Sequence, residues 1–209
     1  MRQVTFYFDV GSPFAYLAAE RIPTLIPEPI EWQPVLLGGL FKLAGRSSWA
    51  LGDDKRRQAG MAEIERRAQS YGLPPMRWPD PWPTDYLIAM RAATYAFTIG
   101  KGRQFTLQAF RSAFRHGRDM SIAANVLQAG EQVGIDPNRL TTATSDPLIK
   151  EALRGATEAA FQLGVFGVPT VAIDDELFWG DDQLKDAAAH LHRSSKRSPN
   201  DPDNPVPRT

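Results

Sequence analysis

Ser12 stands where a hydroxyl can do chemistry. The stretch Gly11-Ser12-Pro13-Phe14-Ala15 follows a short apolar run and precedes an amphipathic one, which puts the Ser12 side chain at the start of a helix. There it caps the first turn, beside the positive end of the helix dipole. Far along the chain, Phe166-Gly167-Val168-Pro169-Thr170 opens a second apolar run, with a proline at the strand edge. The chain has no cysteine, which excludes disulfides, thiolate metal ligands and cysteine nucleophiles together. His116, His190 and His192 show no metal-ligand spacing, so no metal site is expected. Taken alone, Ser-Pro at a helix start is also an ordinary cap, and X-Pro at a strand edge is common.

The elements that must position these residues are legible from pattern. "VTFYFDV" is rich in β-branched and aromatic residues and stops at Gly11, which reads as a buried strand. A helix follows, with Ser12 as cap, Pro13 at its first position, and Phe14, Leu17, Ala18, Ile22 and Leu25 on one face. "PIEWQPVLL", residues 29–37, reads as a second strand, and together these form a right-handed βαβ unit with parallel strands. Helical segments are expected at 54–71, 85–99, 103–115, 121–133 and 146–163, the last with Ser145 or Asp146 as cap and Gly164 as stop. "VPTVAI" and "ELFW", separated by Asp174-Asp175, predict a tight hairpin. Gly180-Asp181-Asp182 opens a final helix carrying Leu184, Ala187, Ala188 and Leu191. The polar, proline-rich tail predicts disorder.

With 209 residues the chain can bury a substantial core, as one domain or as a small domain with an insertion. Its 24 Lys and Arg balance 24 Asp and Glu, so no bulk field favours nucleic acid or an anionic membrane. No apolar run is long enough for a transmembrane span, and a cytoplasmic protein is the default expectation.

The order βαβ, helices, ββα is that of an α/β thioredoxin-like fold with a helical insertion after the second strand, as in its DsbA-like branch. On this reading residues 1–37 plus 166–194 form the thioredoxin-like domain, 38–165 the insertion and 195–209 a disordered tail. The redox centre of that fold falls at Gly11 to Ala15, and its cis-proline at Pro169. Ser12 and Ala15 occupy the two cysteine positions, so this is not a dithiol oxidoreductase, because disulfide exchange requires a thiolate. Over residues 3–192 the sequence resembles 2-hydroxychromene-2-carboxylate isomerases and the related kappa-class glutathione transferases. The resemblance rests on "FYFDVGSPFAYLA", "PVLLGGLFKLAG", "IERRAQSYGLP", "FRHGRDMS" and, most specifically, "GVFGVPTVAIDDELFWGDDQL".

That resemblance implies that glutathione supplies the missing thiol and that the Ser12 hydroxyl hydrogen-bonds its sulfur. A free thiol has a pKa of about 8.5, and a helix N-terminus and a donor aimed at sulfur both favour the thiolate. A hydrogen bond to a charged group is worth roughly 1.5–3 kcal/mol, or roughly one to two pKa units. The resemblance further implies that Val168, before a cis Pro169, pairs its main chain with the cysteinyl part of glutathione, and that Asp181 and Asp182 lie near the γ-glutamyl amino group. Arg46, where relatives run Gly-Asn, and Lys55 or Arg56, where they carry a lysine, are further expected glutathione contacts. Gln183 replaces a frequent arginine. Phe14, Trp49, Trp82, Asp85 (often Asn in relatives) and Arg91 are expected around the second substrate, the arginine gripping a carboxylate. Asp181 and Asp182 also read as a helix cap and a first-turn acid, and the aromatics as core. The implied activity is a glutathione-dependent isomerisation of an aromatic carboxylate by a homodimer. A glutathione transferase or peroxidase, and a non-catalytic glutathione-binding or structural module, remain open alternatives.

Overall fold

The computed structural model describes residues 3–195. Strand β1, Val4–Phe8, is buried along its whole length at the centre of a four-stranded sheet ordered β2-β1-β3-β4. It pairs in parallel with β2, Glu31–Pro34, and antiparallel with β3, Thr170–Ile173. Strand β4, Glu176–Trp179, completes the hairpin through Asp174-Asp175. Asp174 has φ 51°, a left-handed conformation that aspartate tolerates in a two-residue turn. Helix α1, Pro13–Leu25, connects β1 to β2 and packs on α9, Leu184–Ser195. The Val168–Pro169 peptide is cis, as are Asp80–Pro81 and Trp82–Pro83.

The second strand is shorter than its apolar run predicts. Val35 N–H still donates to the Phe8 carbonyl at 3.0 Å, but two side chains then capture the next two donors. Leu36 N–H donates to Thr157 Oγ1 at 2.9 Å and Leu37 N–H to Asp9 Oδ2 at 2.8 Å. With those donors removed from any ladder, the chain turns into a helix that the pattern did not predict, α2, Leu37–Leu43.

From there to β3 the chain is helical: a 3₁₀ turn at Trp49–Leu51, α3 Asp54–Ser70, α4 Leu87–Thr98, α5 Gly102–Phe114, α6 Ala123–Glu131, α7 Pro137–Ser145 and α8 Pro147–Gln162. Helix α7 was not expected. Its signal is nevertheless present, since Asp136 caps it by accepting from Arg139 N–H at 2.8 Å and Pro137 follows.

One continuous core joins the sheet to these helices. Phe6, Phe8 and Trp32 on one sheet face meet Met90, Phe105, Phe110 and Phe114 of α4 and α5, with Phe8 and Phe110 rings 6.1 Å apart. Tyr7 points to the opposite face, as strand alternation requires, into a smaller cluster with Val35, Leu40, Ala160, Val165 and Val168. The stretch expected as insertion therefore supplies half of the main core. Ser195 closes α9, and the rest of the expected tail lies outside the described residues. Among the described residues no helix is long and apolar enough to cross a membrane.

Candidate active site

The end of β1 delivers Ser12 to the first turn of α1 with φ −92° and ψ 112°, the extended backbone of an N-cap. Its Oγ accepts from Ala15 N–H at 3.2 Å and donates to the Val168 carbonyl at 3.4 Å, across the gap between the helix start and cis Pro169. The second contact is long, so the hydroxyl proton is weakly held and can rotate to another acceptor. Ser12, Val168 and Pro169 line one side of a cavity of about 1090 Å³. It lies between the sheet end, α2, one face of α3 and the segment before α4.

An aromatic run crosses this cavity. Phe14 lies 6.4 Å from Trp49, Trp49 5.8 Å from Trp82, and Trp82 4.7 Å from Trp78 behind it, ring centre to ring centre. Gly60 makes room for Trp49, since a Cβ there would fall 2.2 Å from the indole. Gly11 does the same for Tyr86, whose ring would stand 2.5 Å from a Cβ. Tyr86, buried, and Trp82, half-buried, both line the cavity, and among the described residues their Oη and Nε1 atoms have no partner in good hydrogen-bond geometry.

Asp9 is the residue that the pattern underrates. Buried in the cavity wall, it accepts from Gly11 N–H and from Leu37 N–H, each at 2.8 Å. Burial pushes its carboxyl up to about 6, against the pull of those two donors and with a further push from Asp85. An acid ending an otherwise apolar strand was the available signal.

The opposite rim is ionic. Asp181, 1% exposed, accepts from Arg67 Nη1 and from Tyr71 Oη, each at 2.9 Å. Arg21 donates to the Asp181 carbonyl at 2.8 Å while its guanidinium covers the Tyr71 ring at 3.5 Å. Burial holds the Asp181 carboxyl above the usual range, with Tyr71 and Arg67 pulling it back. Arg67 also pairs with Glu63 at 3.0 Å. Asp182 is more open, with Arg67 3.8 Å away.

Of the expected residues, Ser12, Phe14, Trp49, Arg56, Trp82, Asp85, Val168, Pro169, Asp181 and Asp182 all line this one cavity. Three do not. The Arg46 guanidinium sits over Phe166 at 5.4 Å. Lys55 is exposed in the first turn of α3, its neighbour Arg56 being the one that reaches the cavity. Arg91 lies a turn of α4 beyond the cavity-lining Leu87, with its Nε buried and without a partner among the described residues. Asp181, expected at a ligand's amino group, is already committed to Arg67 and Tyr71, which leaves Asp182 as the open carboxylate of the pair. Asp9, Glu63, Arg67 and Tyr86 also line it without having been anticipated.

Residues 3–192 match the family model of the DSBA-like thioredoxin domain. The chain is 30% identical over 199 residues to a 2-hydroxychromene-2-carboxylate isomerase of Sphingobium xenophagum, covering 91% of this chain and 98% of that protein. It is 26% identical over 187 residues to one from Pseudomonas putida, covering 87% and 90%. Among solved structures, a 2-hydroxychromene-2-carboxylate isomerase matches with a TM-score of 0.81 at 23% identity, over 93% of this chain and 96% of that one.

Proposed function

The chain belongs to the DSBA-like thioredoxin domain family and, within it, to the family of the 2-hydroxychromene-2-carboxylate isomerases; from that premise we propose that it is a glutathione-dependent isomerase of such aromatic carboxylates. The observation that carries the reading is the Ser12 hydroxyl facing cis Pro169 at one side of an aromatic-lined cavity, in a chain with no thiol of its own.

The residues present suit glutathione. Val168 N–H makes no hydrogen bond among the described residues, which leaves a stretch of open backbone against which a peptide can pair as an added strand. Asp182 suits an ammonium group and Arg56 a carboxylate. Ser12 suits a sulfur anion, because its loosely held proton can turn from the Val168 carbonyl to a better acceptor. When bound, glutathione supplies a thiolate, a reversible nucleophile that can add to an electrophilic carbon, permit rotation about the resulting single bond and leave again. The protein's part is to stabilise the anion with Ser12 and the start of α1, to stack a planar ring against Phe14, Trp49 and Trp82, and to keep water off it.

A second reading, a glutathione transferase acting on other electrophiles, gains support from two positions. Arg91 stands away from the cavity, and Asp85 brings a negative charge into it, so a substrate carboxylate would have to share Arg56 with the glutathione carboxylate. The ultraviolet spectrum of 2-hydroxychromene-2-carboxylate with the purified protein separates the readings. Interconversion with the open-chain trans isomer that depends on glutathione without consuming it supports the isomerase. Consumption in proportion to product supports the transferase, and a spectrum indifferent to glutathione removes the isomerase reading and leaves the transferase to other electrophiles. A homodimer and a cytoplasmic location belong to the same proposal, and sedimentation of the full chain tests the former.

A further inference from the structure

We propose that Asp9 is the positioning residue that fixes the Ser12 turn against the α2 wall of the cavity, and that it does so only as the carboxylate. The inference deepens the reading above and rests on it for its kinetic consequence.

The geometry gives Asp9 three holds on two segments. Its Oδ1 accepts from Gly11 N–H, its Oδ2 from Leu37 N–H, and its backbone carbonyl from Ser12 N–H at 3.0 Å. Gly11 is thereby pinned between the carboxylate and the Tyr86 ring, which leaves no room for a Cβ. Leu37 is the first residue of α2, and its neighbour Leu36 is tied separately to Thr157. Both oxygens are acceptors toward backbone donors, so the carboxylate matches the site and an acid or amide does not: each presents a donor where one of the two N–H groups points.

Such an arrangement is expensive to keep. A carboxylate 5% exposed loses its hydration, and the two N–H donors only partly make up for it. Its ionisable neighbours come from the segment before α4, where Asp85 opposes its charge and Tyr86 is neutral. Residues 12–14 of α1, 36–39 at the start of α2, and 168–169 carry no ionisable side chain. A buried, charge-opposed carboxylate three residues from the activating hydroxyl fits a functional constraint better than a packing one. The consequence is a latch, closed when Asp9 is ionised and loosened when a proton on either oxygen turns an acceptor into a donor.

The test is a pH titration of the full-length, isotopically labelled protein from about pH 5 to 8 by amide NMR, needing neither ligand nor activity. The Gly11 and Leu37 amide protons should shift together with one midpoint near pH 6, and both transitions should vanish in Asp9→Asn. In kinetics with glutathione, Asp9→Asn should lower kcat/KM by about tenfold at pH 7.5 and lose the limb near pH 6. Amides that fail to titrate, or that titrate unchanged in the variant, overturn the latch. Amides that titrate as expected beside identical kinetic pH profiles overturn the positioning role. Titrating amides in a wild-type protein without glutathione-dependent turnover uphold the latch and instead remove the isomerase reading.

Discussion

The Ser12 hydroxyl has one proton, and the folded chain turns it toward the Val168 carbonyl, whose oxygen lies 3.4 Å from Oγ. An anion at the start of α1 outcompetes a neutral carbonyl at that distance, since hydrogen bonds to charged groups are worth roughly 1.5–3 kcal/mol. Ser12→Ala should therefore lower kcat/KM for glutathione by about 10- to 100-fold and raise the apparent pKa of the bound thiol, read from thiolate absorbance; an unmoved thiol pKa would remove Ser12 from the chemistry. Asp9 makes a separate prediction about stability. Its carboxyl titrates at about 6 when folded, against 3.8 when free, so the folded state binds the proton more tightly. The stabilisation this gives is full below about 3.8 and is lost as the pH rises through about 6. Relative to Asp9→Asn, the wild type should lose up to about 3 kcal/mol between pH 4 and pH 8 in urea unfolding; a constant difference would place the folded pKa near its free value. Ser12 and Pro169 were legible because Gly, Ser and Pro mark local backbone events. Asp9, Arg67 and Tyr86 were not, because their partners, Leu37, Asp181 and Gly11, are set by packing between distant segments.

Among the elements, the junction of β2 and α2 matters most for the site, since it forms the cavity wall at Leu36 to Gly39. Thr157 of α8 holds it from behind, accepting from Leu36 N–H while donating to the Leu153 carbonyl at 2.8 Å. Thr157→Val keeps the shape and strands the Leu36 donor, a loss of about 1–3 kcal/mol. In a chain of this size that is about 2–4 °C in Tm for each kcal/mol. The KM for the aromatic substrate should rise with it, because α2 loses its anchor. A variant with unchanged Tm and KM would show that water satisfies Leu36 and that α2 holds its place without the threonine. This junction also explains the misread strand. Val35-Leu36-Leu37 continues the apolar run past Pro34, and Gly38-Gly39 is a poor helix start, so only the acceptors of Asp9 and Thr157 decide that a helix begins there. The buried strand β1, the hairpin at Asp174-Asp175, the capped helices α3 and α8 and the apolar periodicity of α5 were readable from local sequence alone.

Across the whole molecule the charges cancel, 24 against 24, so no long-range field steers a ligand from bulk solvent. The cavity departs from that balance. Asp9, Glu63, Asp85, Asp181 and Asp182 line it against Arg56 and Arg67, and Arg67 is engaged by Glu63 and Asp181. Both proposed ligands are anions, so they enter against a local negative excess that Arg56 relieves only at one point. Salt screens exposed charges over about 8 Å at 0.15 M, which weakens the exposed Asp85 and Asp182 but leaves the buried Asp9 and Asp181 largely untouched. The kcat/KM for the aromatic carboxylate should therefore rise by about twofold as ionic strength goes from about 0.02 to 0.15 M. Asp85→Asn should raise the low-salt value and flatten the dependence, because it removes an exposed acid from the aromatic side of the site. A rate that falls with salt instead would mean that Arg56 dominates the field at the mouth and draws anions in. Asp85→Asn would then leave the slope unchanged, and Arg56→Gln would abolish it.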